Sequence, residues 1–289
     1  MSLQINRCTF CGCDDLKTLL AVKDHSVSKE QFELLECFCC GLIQTNPQPQ
    51  PAEIGRYYQS EEYVSHTDTK KGFINSVYHI ARNWTLKKKL NLIQQYHKSG
   101  TLLDIGCGTG YFAAYMKENR YDVSAMEPDT EASKKASEKL NKIPFKSLEE
   151  VEGTYKIITM WHVLEHVHDI NATFSKLSSL LEKDGVLIIA VPNPESPDAK
   201  HYKNYWAAYD VPRHLYHFKK SVIKQAANKF DLELTTIKQM KLDSYYISML
   251  SEKYKKGSLL TAAWNGFLSN VKSGKDNSSS LIYIIQKKK

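Results

Sequence analysis

Thiols, a glycine run flanked by acids, and a crowd of imidazoles are the residues of this chain whose types and spacing could do chemistry. Six of the seven cysteines lie before residue 41, at Cys8, Cys11, Cys13, Cys37, Cys39 and Cys40. Within them one pattern occurs twice, Cys8-x-x-Cys11-Gly12 and Cys37-x-x-Cys40-Gly41. Two residues between thiols let one turn present both sulfurs to a single ion. The glycine that follows permits a tight turn whose N–H groups can donate to thiolates. Cys8, Cys11, Cys37 and Cys40 therefore read as ligands of a tetrahedral structural Zn²⁺, and the spacing also accommodates a rubredoxin-type iron. Four thiolates leave no open coordination position, so this metal would stabilise two small hairpins and take no part in catalysis. Cys13 and Cys39 lack the trailing glycine and read as bystanders, though either could substitute as a ligand; a reducing compartment favours metal over disulfides for such a cluster.

The second group is Leu102-Leu103-Asp104-Ile105-Gly106-Cys107-Gly108-Thr109-Gly110-Tyr111, a strand turning into a helix. Its glycines let the backbone turn sharply and let a ligand lie directly against it. A dinucleotide fingerprint asks for glycine where Tyr111 stands. Asp104 is a poor neighbour for a pyrophosphate and a good one for an ammonium group. Glu127 ends the next strand, where a carboxylate can accept from both ribose hydroxyls. A ribose, a cationic amino-acid tail and no phosphate describe S-adenosylmethionine.

The third group is imidazole: six of the ten histidines fall between 162 and 217. Methyl transfer needs in-line positioning and removal of the acceptor's proton, which makes His214 the first choice of general base and His162 the second. Trp161 could lie against the adenine or the sulfonium, or simply pack in the core. The stretch Trp206–Phe218 combines aromatics, Arg213 and two imidazoles, the mix expected where a planar or sugar-like acceptor binds. Tyr57, Tyr58 and Tyr63 could close over the cofactor, with core packing as the plainer alternative.

These groups need elements to hold them. Pro47–Pro51 reads as a stiff extended connector. A helix follows from Phe73 to about Tyr96, with Ile80, Trp84, Leu86, Leu90 and Ile93 near one face and Lys87–Lys89 as a solvated run. From Gly100 strands and helices alternate, which implies a parallel sheet covered on both faces. The strands are Thr101–Ile105, Val123–Met126, a weak third at Ile143–Phe145, Tyr155–Met160, Gly185–Val191, Leu232–Lys238 and Leu281–Gln286. Two helical stretches, Ser244–Tyr254 and Leu259–Val271, are inserted before the last strand, and Ser273–Ser280 reads as a mobile loop. Three parts result: 1–50, a zinc-ribbon module; 51–98, linker and N-terminal helices; 99–289, the ligand-binding domain. In 289 residues, 42% apolar content supports a sizeable core, and the net charge of +7 is scattered rather than striped, unlike a nucleic-acid surface. No apolar run is long enough to span a bilayer and no hydrophobic leader is present, so the expectation is a cytoplasmic protein with no membrane span.

The runs Asp104–Tyr111, Glu127-Pro128, Trp161–His166 and Val191-Pro192-Asn193 resemble class I S-adenosylmethionine-dependent methyltransferases, most nearly the branch containing ubiquinone-type O-methyltransferases. The resemblance covers about residues 75–289. It implies a Rossmann-like α/β fold with a seven-stranded sheet, last strand antiparallel, and cofactor across the C-terminal edge of strands one, two and four. It also implies cofactor contacts at Asp104, Gly106, Cys107, Gly108, Gly110, Tyr111, Glu127, Pro128, Met160 and Trp161. Many relatives place an acid after strand three for the adenine amino group; Phe145-Lys146-Ser147-Leu148 stands there instead, which assigns adenine to Ser147 and Leu148. Ubiquinone-type relatives carry a Glu-x-x-Glu-His run resembling a divalent-metal site, but His162 replaces its first Glu, which argues against carrying Mg²⁺ over. The function so implied is methylation of a small-molecule acceptor, O-directed, on a sugar-like or aromatic hydroxyl. The alternative is an RNA methyltransferase that recognises its substrate through the zinc ribbon.

Overall fold

The structure, a computed structural model, describes residues 2–58 and 73–288, and within 73–81 the backbone alone. Its main sheet is built on apolar runs too short for helices and bounded by glycine or polar turns, which favours strands buried on both faces. Strands β4 (Gly100–Ile105), β5 (Tyr121–Met126), β6 (Tyr155–Trp161) and β7 (Leu181–Pro192) run parallel, and β10 (Ser280–Lys287) is antiparallel to both β7 and β9 (Leu232–Gln239). The order is β5-β4-β6-β7-β10-β9. Alternate residues face opposite layers. Leu103, Ile158 and Ile189 pack with helices α4 (Ile170–Leu180) and α6 (Lys220–Lys229). Leu102, Ile157 and Ile188 pack with α1 (Phe73–Ile93), α2 (Tyr111–Glu118) and α3 (Thr130–Leu140).

Among the described residues the sheet thus has six strands, where seven were expected. The weak third strand contracts to one bridge, Phe145 to Met126. Pro144 has no N–H to continue a ladder, and Ile143 beside it is exposed. The expected mobile loop also differs: Ser278, Ser279 and Ser280 are fully buried, with Ser279 Oγ donating to Asp198 Oδ1 at 2.8 Å. In α1, Leu86, Leu90 and Ile93 are buried as expected, but Trp84 is half exposed and the Ile80 side chain lies outside the described residues.

The N-terminal strands share a sheet with a strand from the later part of the chain. Strands β1 (Leu16–Lys23), β2 (Gln31–Cys37) and β3 (Ile43–Asn46) make an antiparallel sheet whose fourth strand is β8 (Tyr216–His217), from the segment after β7. Thr45 Oγ1 donates to the His214 carbonyl at 2.6 Å, and Gln48 Nε2 to that of Leu215 at 3.0 Å. The inner strand β3 of the cysteine-bearing sheet is therefore also the support of the histidine segment. Short helix α5 (Pro197–Tyr202) leads into that segment. Helices α7 (Asp243–Lys255) and α8 (Leu259–Lys272) form the inserted hairpin beside it.

Candidate functional site

At the C-terminal end of β4 the three glycines take left-handed conformations, with φ of +69, +54 and +80 degrees at Gly106, Gly108 and Gly110. They serve different ends. A Cβ at Gly106 would sit 2.4 Å from Val163 Cγ2, and one at Gly110 2.8 Å from the Ala136 backbone, so close packing excludes side chains there. A Cβ at Gly108 would meet nothing within 4 Å; the loop is open at that point, as a cradle for a ligand requires. Glu127 braces the loop, its carboxylate accepting from Gly108 N at 2.7 Å and Asp129 N at 3.0 Å. Burial raises its pKa, opposed by those two N–H groups. Pro128 and the Asp129 N-cap open α3 directly after it. Asp104 is buried and accepts from Thr159 Oγ1 at 2.7 Å. Burial pushes its carboxyl up to about 7, against the pull of Thr159 and Lys89. Cys107, beside both acids, is pushed up by burial and then by their charge.

Lys89 was expected in solvent with Lys87 and Lys88. Instead its Nζ lies 4.0 Å above the Trp161 ring, and burial lowers its pKa to about 8 although Asp104 and Asp243 favour the charged form. The spacing held the clue, since Lys89 stands three residues after Leu86 and one before Leu90, on the inward side of α1. Trp161 also packs edge-on against Phe112, and its Nε1 is buried with no hydrogen-bond partner among the described residues. Met160, expected against the cofactor, is wholly buried in the core on the other face of the sheet. Period-two alternation sends it opposite to Trp161. Ser147 and Leu148 lie in the bend beyond the Phe145 bridge, with Leu148 packed on the core.

A cavity of about 840 Å³ opens beside the loop, between α1, the ends of β6 and β7, the histidine segment and α7. Tyr111, Lys89, His162, His166 and His214 all line it. His162, at the end of β6, has a left-handed φ of +58 degrees, a strained state for a side chain with a Cβ. Two carboxylates hold it there: Glu165 Oε1 is 3.3 Å from Nδ1 and Asp243 Oδ2 is 3.2 Å from Nε2. Burial disfavours its charge, but these partners overcome that and raise its pKa to about 10. With a carboxylate at each ring nitrogen, His162 has both nitrogens engaged, an arrangement that suits an anchor better than a general base. His214 is placed differently. Its Nδ1 pairs with the Ala208 carbonyl at 2.9 Å, which requires the proton on Nδ1 and leaves Nε2 as an acceptor. His166 Nδ1 likewise pairs with the Arg213 carbonyl at 2.9 Å and lies 3.0 Å from Tyr58 Oη; burial and the nearby His214 lower its pKa to about 4. Ligand atoms of Glu165, His166 and His214 lie within 4.8 Å of one another. Two imidazoles in three do not suit Mg²⁺, which takes oxygen ligands.

Arg213 does not face the cavity. It is buried, donating to Asp210 Oδ1 and Oδ2 at 2.6 and 3.0 Å, Asp24 Oδ1 at 3.0 Å and the Tyr57 carbonyl at 2.8 Å. Its role is to tie the histidine segment to the N-terminal sheet, a link that no local motif announces. Tyr57 is a core residue that donates to Glu30 Oε2 at 2.7 Å, and Tyr63 lies outside the described residues.

The sulfurs of Cys8, Cys11, Cys37 and Cys40 lie within 4.8 Å of one another, with Cys8–Cys40 and Cys11–Cys37 each at 3.6 Å. A tetrahedron of sulfurs at the usual Zn–S length has edges of about 3.8 Å, so the donor set fits Zn²⁺. The glycines close the turns differently from expectation: Gly12 N and Gly41 N donate to the carbonyls of Cys8 and Cys37, both at 2.8 Å. The hydrogen bond with Cys40 and the backbone N–H groups of Cys11 and Phe10 lower the Cys8 thiol to about 5, against its burial. Cys13 and Cys39 are not bystanders; they form a disulfide, because the loops bearing the two motifs lie side by side.

A family model described as a methyltransferase domain matches residues 78–237, more than half of the chain. The chain belongs to the methyltransferase-domain family. It is a methyltransferase. Among solved structures, magnesium protoporphyrin IX methyltransferase from Synechocystis PCC 6803 with bound S-adenosylhomocysteine is similar at 15% identity and a TM-score of 0.53, over 80% of this chain and 97% of that one. Mycolic acid cyclopropane synthase, complexed with S-adenosylhomocysteine, is similar at 15% identity and a TM-score of 0.51, over 69% of this chain and 83% of that one. At such identities the likeness is one of fold. No curated protein matches the chain.

Proposed function

We propose that the chain methylates a hydroxyl of a small molecule held in the cavity beside the glycine loop, as the ubiquinone-type resemblance implies, with His214 as general base. The open, deep cavity lined by His214 is the observation that carries this reading. S-adenosylmethionine, when bound, supplies a methyl group activated on a cationic sulfur. Asp104 and Glu127 lie where they can take its ammonium group and ribose hydroxyls, and Gly108 leaves room for the nucleoside against the backbone. The face of Trp161 is taken by the Lys89 ammonium, while its buried Nε1 is a donor without a partner among the described residues. With Nδ1 donating to Ala208, His214 Nε2 can take the acceptor's proton as the new oxygen–carbon bond forms. His162, locked as an imidazolium, serves as a fixed positive wall tying the β6 end to α7.

The four cysteines would hold a structural Zn²⁺ that secures β1–β3 and, through Thr45, the His214 backbone. The deciding experiment is methyl transfer from labelled S-adenosylmethionine to a panel of sugar nucleotides, catechols and RNA, alongside calorimetry with S-adenosylhomocysteine and NAD. Label on a small-molecule hydroxyl and binding of the thioether alone are expected. Label on RNA, or tight binding of NAD in its place, would overturn the reading.

A further inference from the structure

Helix α8 is amphipathic in the inverted sense. The face turned toward the protein carries Ala262, Gly266, Ser269 and Ser273, all buried, and Gly266 packs so closely on α7 that a Cβ would lie 2.8 Å from Tyr245 Cδ1. The outward face carries Leu260, Trp264, Phe267 and Val271, spaced as one stripe along the helix and 85, 60, 47 and 62% exposed. Leu259 extends the stripe, and Tyr245 and Met249 of α7 are exposed on the same hairpin. Small side chains inside and large apolar ones outside is the reverse of what a water-facing helix needs, and a contiguous apolar surface of this kind marks a docking site.

Charge identifies what docks. Lys241, Lys255, Lys256, Lys272 and Lys275 are exposed on the hairpin and its ends. No carboxylate between 241 and 275 is exposed: Asp243 is engaged by His162, and Glu252 is buried and accepts from Asn265. A second copy of the same face would bring lysine against lysine. Residues 59–72 offer Tyr63 and Val64 as their large apolar side chains, too little to cover the stripe. An apolar stripe containing tryptophan with lysines at its borders fits the interface of an anionic bilayer, the apolar side chains entering the acyl boundary and the ammonium groups meeting the headgroups. The other helix of the hairpin reaches the cavity, which Leu242 and Tyr246 line while each is 47% exposed.

We propose that the α7–α8 hairpin docks the protein on an anionic membrane surface and presents the cavity to acceptors resident there. The surface contact stands independently of the methyl-transfer reading; the acceptor's location rests on it. No described helix is long and apolar enough to cross a membrane, so the contact is peripheral.

The test is co-sedimentation of the full chain with vesicles of phosphatidylcholine, with and without phosphatidylglycerol, at low and raised salt. Binding to the phosphatidylglycerol vesicles that falls steeply with salt is expected. The double variant Leu260→Glu, Trp264→Glu should weaken it by about a hundredfold, each lost apolar side chain being worth about tenfold or more. Both positions are exposed, and unchanged S-adenosylhomocysteine binding by calorimetry reports that the fold and the transferase reading stand. The milder Leu260→Ser should weaken vesicle binding by about tenfold. Absence of vesicle binding by the unsubstituted protein would overturn the proposal, as would a solution dimer by light scattering that Leu260→Ser dissociates.

Discussion

Substitution Asp24→Asn should uncouple the N-terminal sheet from the histidine segment. Burial alone would raise the Asp24 pKa; the Arg213 guanidinium and the N–H groups of Ser28 and Val27 overcome it and hold the carboxyl at about 2, below its ordinary 3.8. That difference corresponds to about 2.5 kcal/mol of stability at pH 7. Removing one partner of a buried ion pair costs about 3–5 kcal/mol because the other charge stays behind. Asp210 remains on Arg213 in the variant, so the lower end applies, about 3 kcal/mol, or on the order of 10 °C in Tm for a chain of this size. The sign with pH follows from the depressed folded pKa: the contribution is complete above about pH 4 and lost as pH falls through 2, with about half gone by pH 3. Urea denaturation of both proteins at pH 7, 4 and 3 should show the gap between them narrowing, while hydrogen exchange at pH 7 should show β1–β3 and β8 losing protection together. A variant within about 0.5 kcal/mol of the parent at pH 7, or a gap independent of pH, would refute the assignment of Asp24 as the anchor of Arg213.

Asp104, its carboxyl raised to about 7, is half protonated near neutrality in the ligand-free protein, and a cationic ligand favours its ionised form. S-adenosylmethionine affinity measured by calorimetry should therefore rise about tenfold from pH 6 to pH 8, with proton release near pH 7; a flat profile would separate Asp104 from the ligand's charge. His214→Ala should lower kcat by about a hundredfold or more while leaving the S-adenosylhomocysteine Kd within about twofold, and equal losses in both would remove it as the base. Cys37→Ser should abolish bound zinc by elemental analysis and expose β2 and β3 to hydrogen exchange. Full zinc content with unchanged protection would show that its sulfur is no ligand.

Local patterns carried the fold as far as they could. The alternation of apolar runs with helical spacing located β4 to β7 and the inserted hairpin, because buried parallel strands and amphipathic helices are written in neighbouring residues. The seventh strand failed at Pro144, where one missing N–H outweighed a weak apolar run. The loop acids and the four cysteines were legible because their chemistry depends on close spacing. Lys89 was misread because a run of three lysines hides which of them faces inward, and only the phase relative to Leu86 and Leu90 tells. The position of His162 at a strand end was legible but its pairing with Asp243 was not, since Asp243 lies 81 positions away in sequence. Asp24 and Thr45 acquire their roles wholly from tertiary contact, and nothing in their neighbourhoods marks them.

Because β3 pairs with β8, the boundary of homology and the boundary of cooperative folding do not coincide. The matched family region stops short of the N-terminal sheet. Yet a polypeptide begun after residue 50 would bare the backbone edge at Tyr216–His217 to intermolecular pairing and strand a guanidinium in the interior. Grafting the thiol-bearing hairpins onto another member of the family would likewise fail unless the segment from Trp206 to Phe218 travelled with them. The two pieces are coupled by hydrogen bonds across the sheet rather than by proximity along the chain.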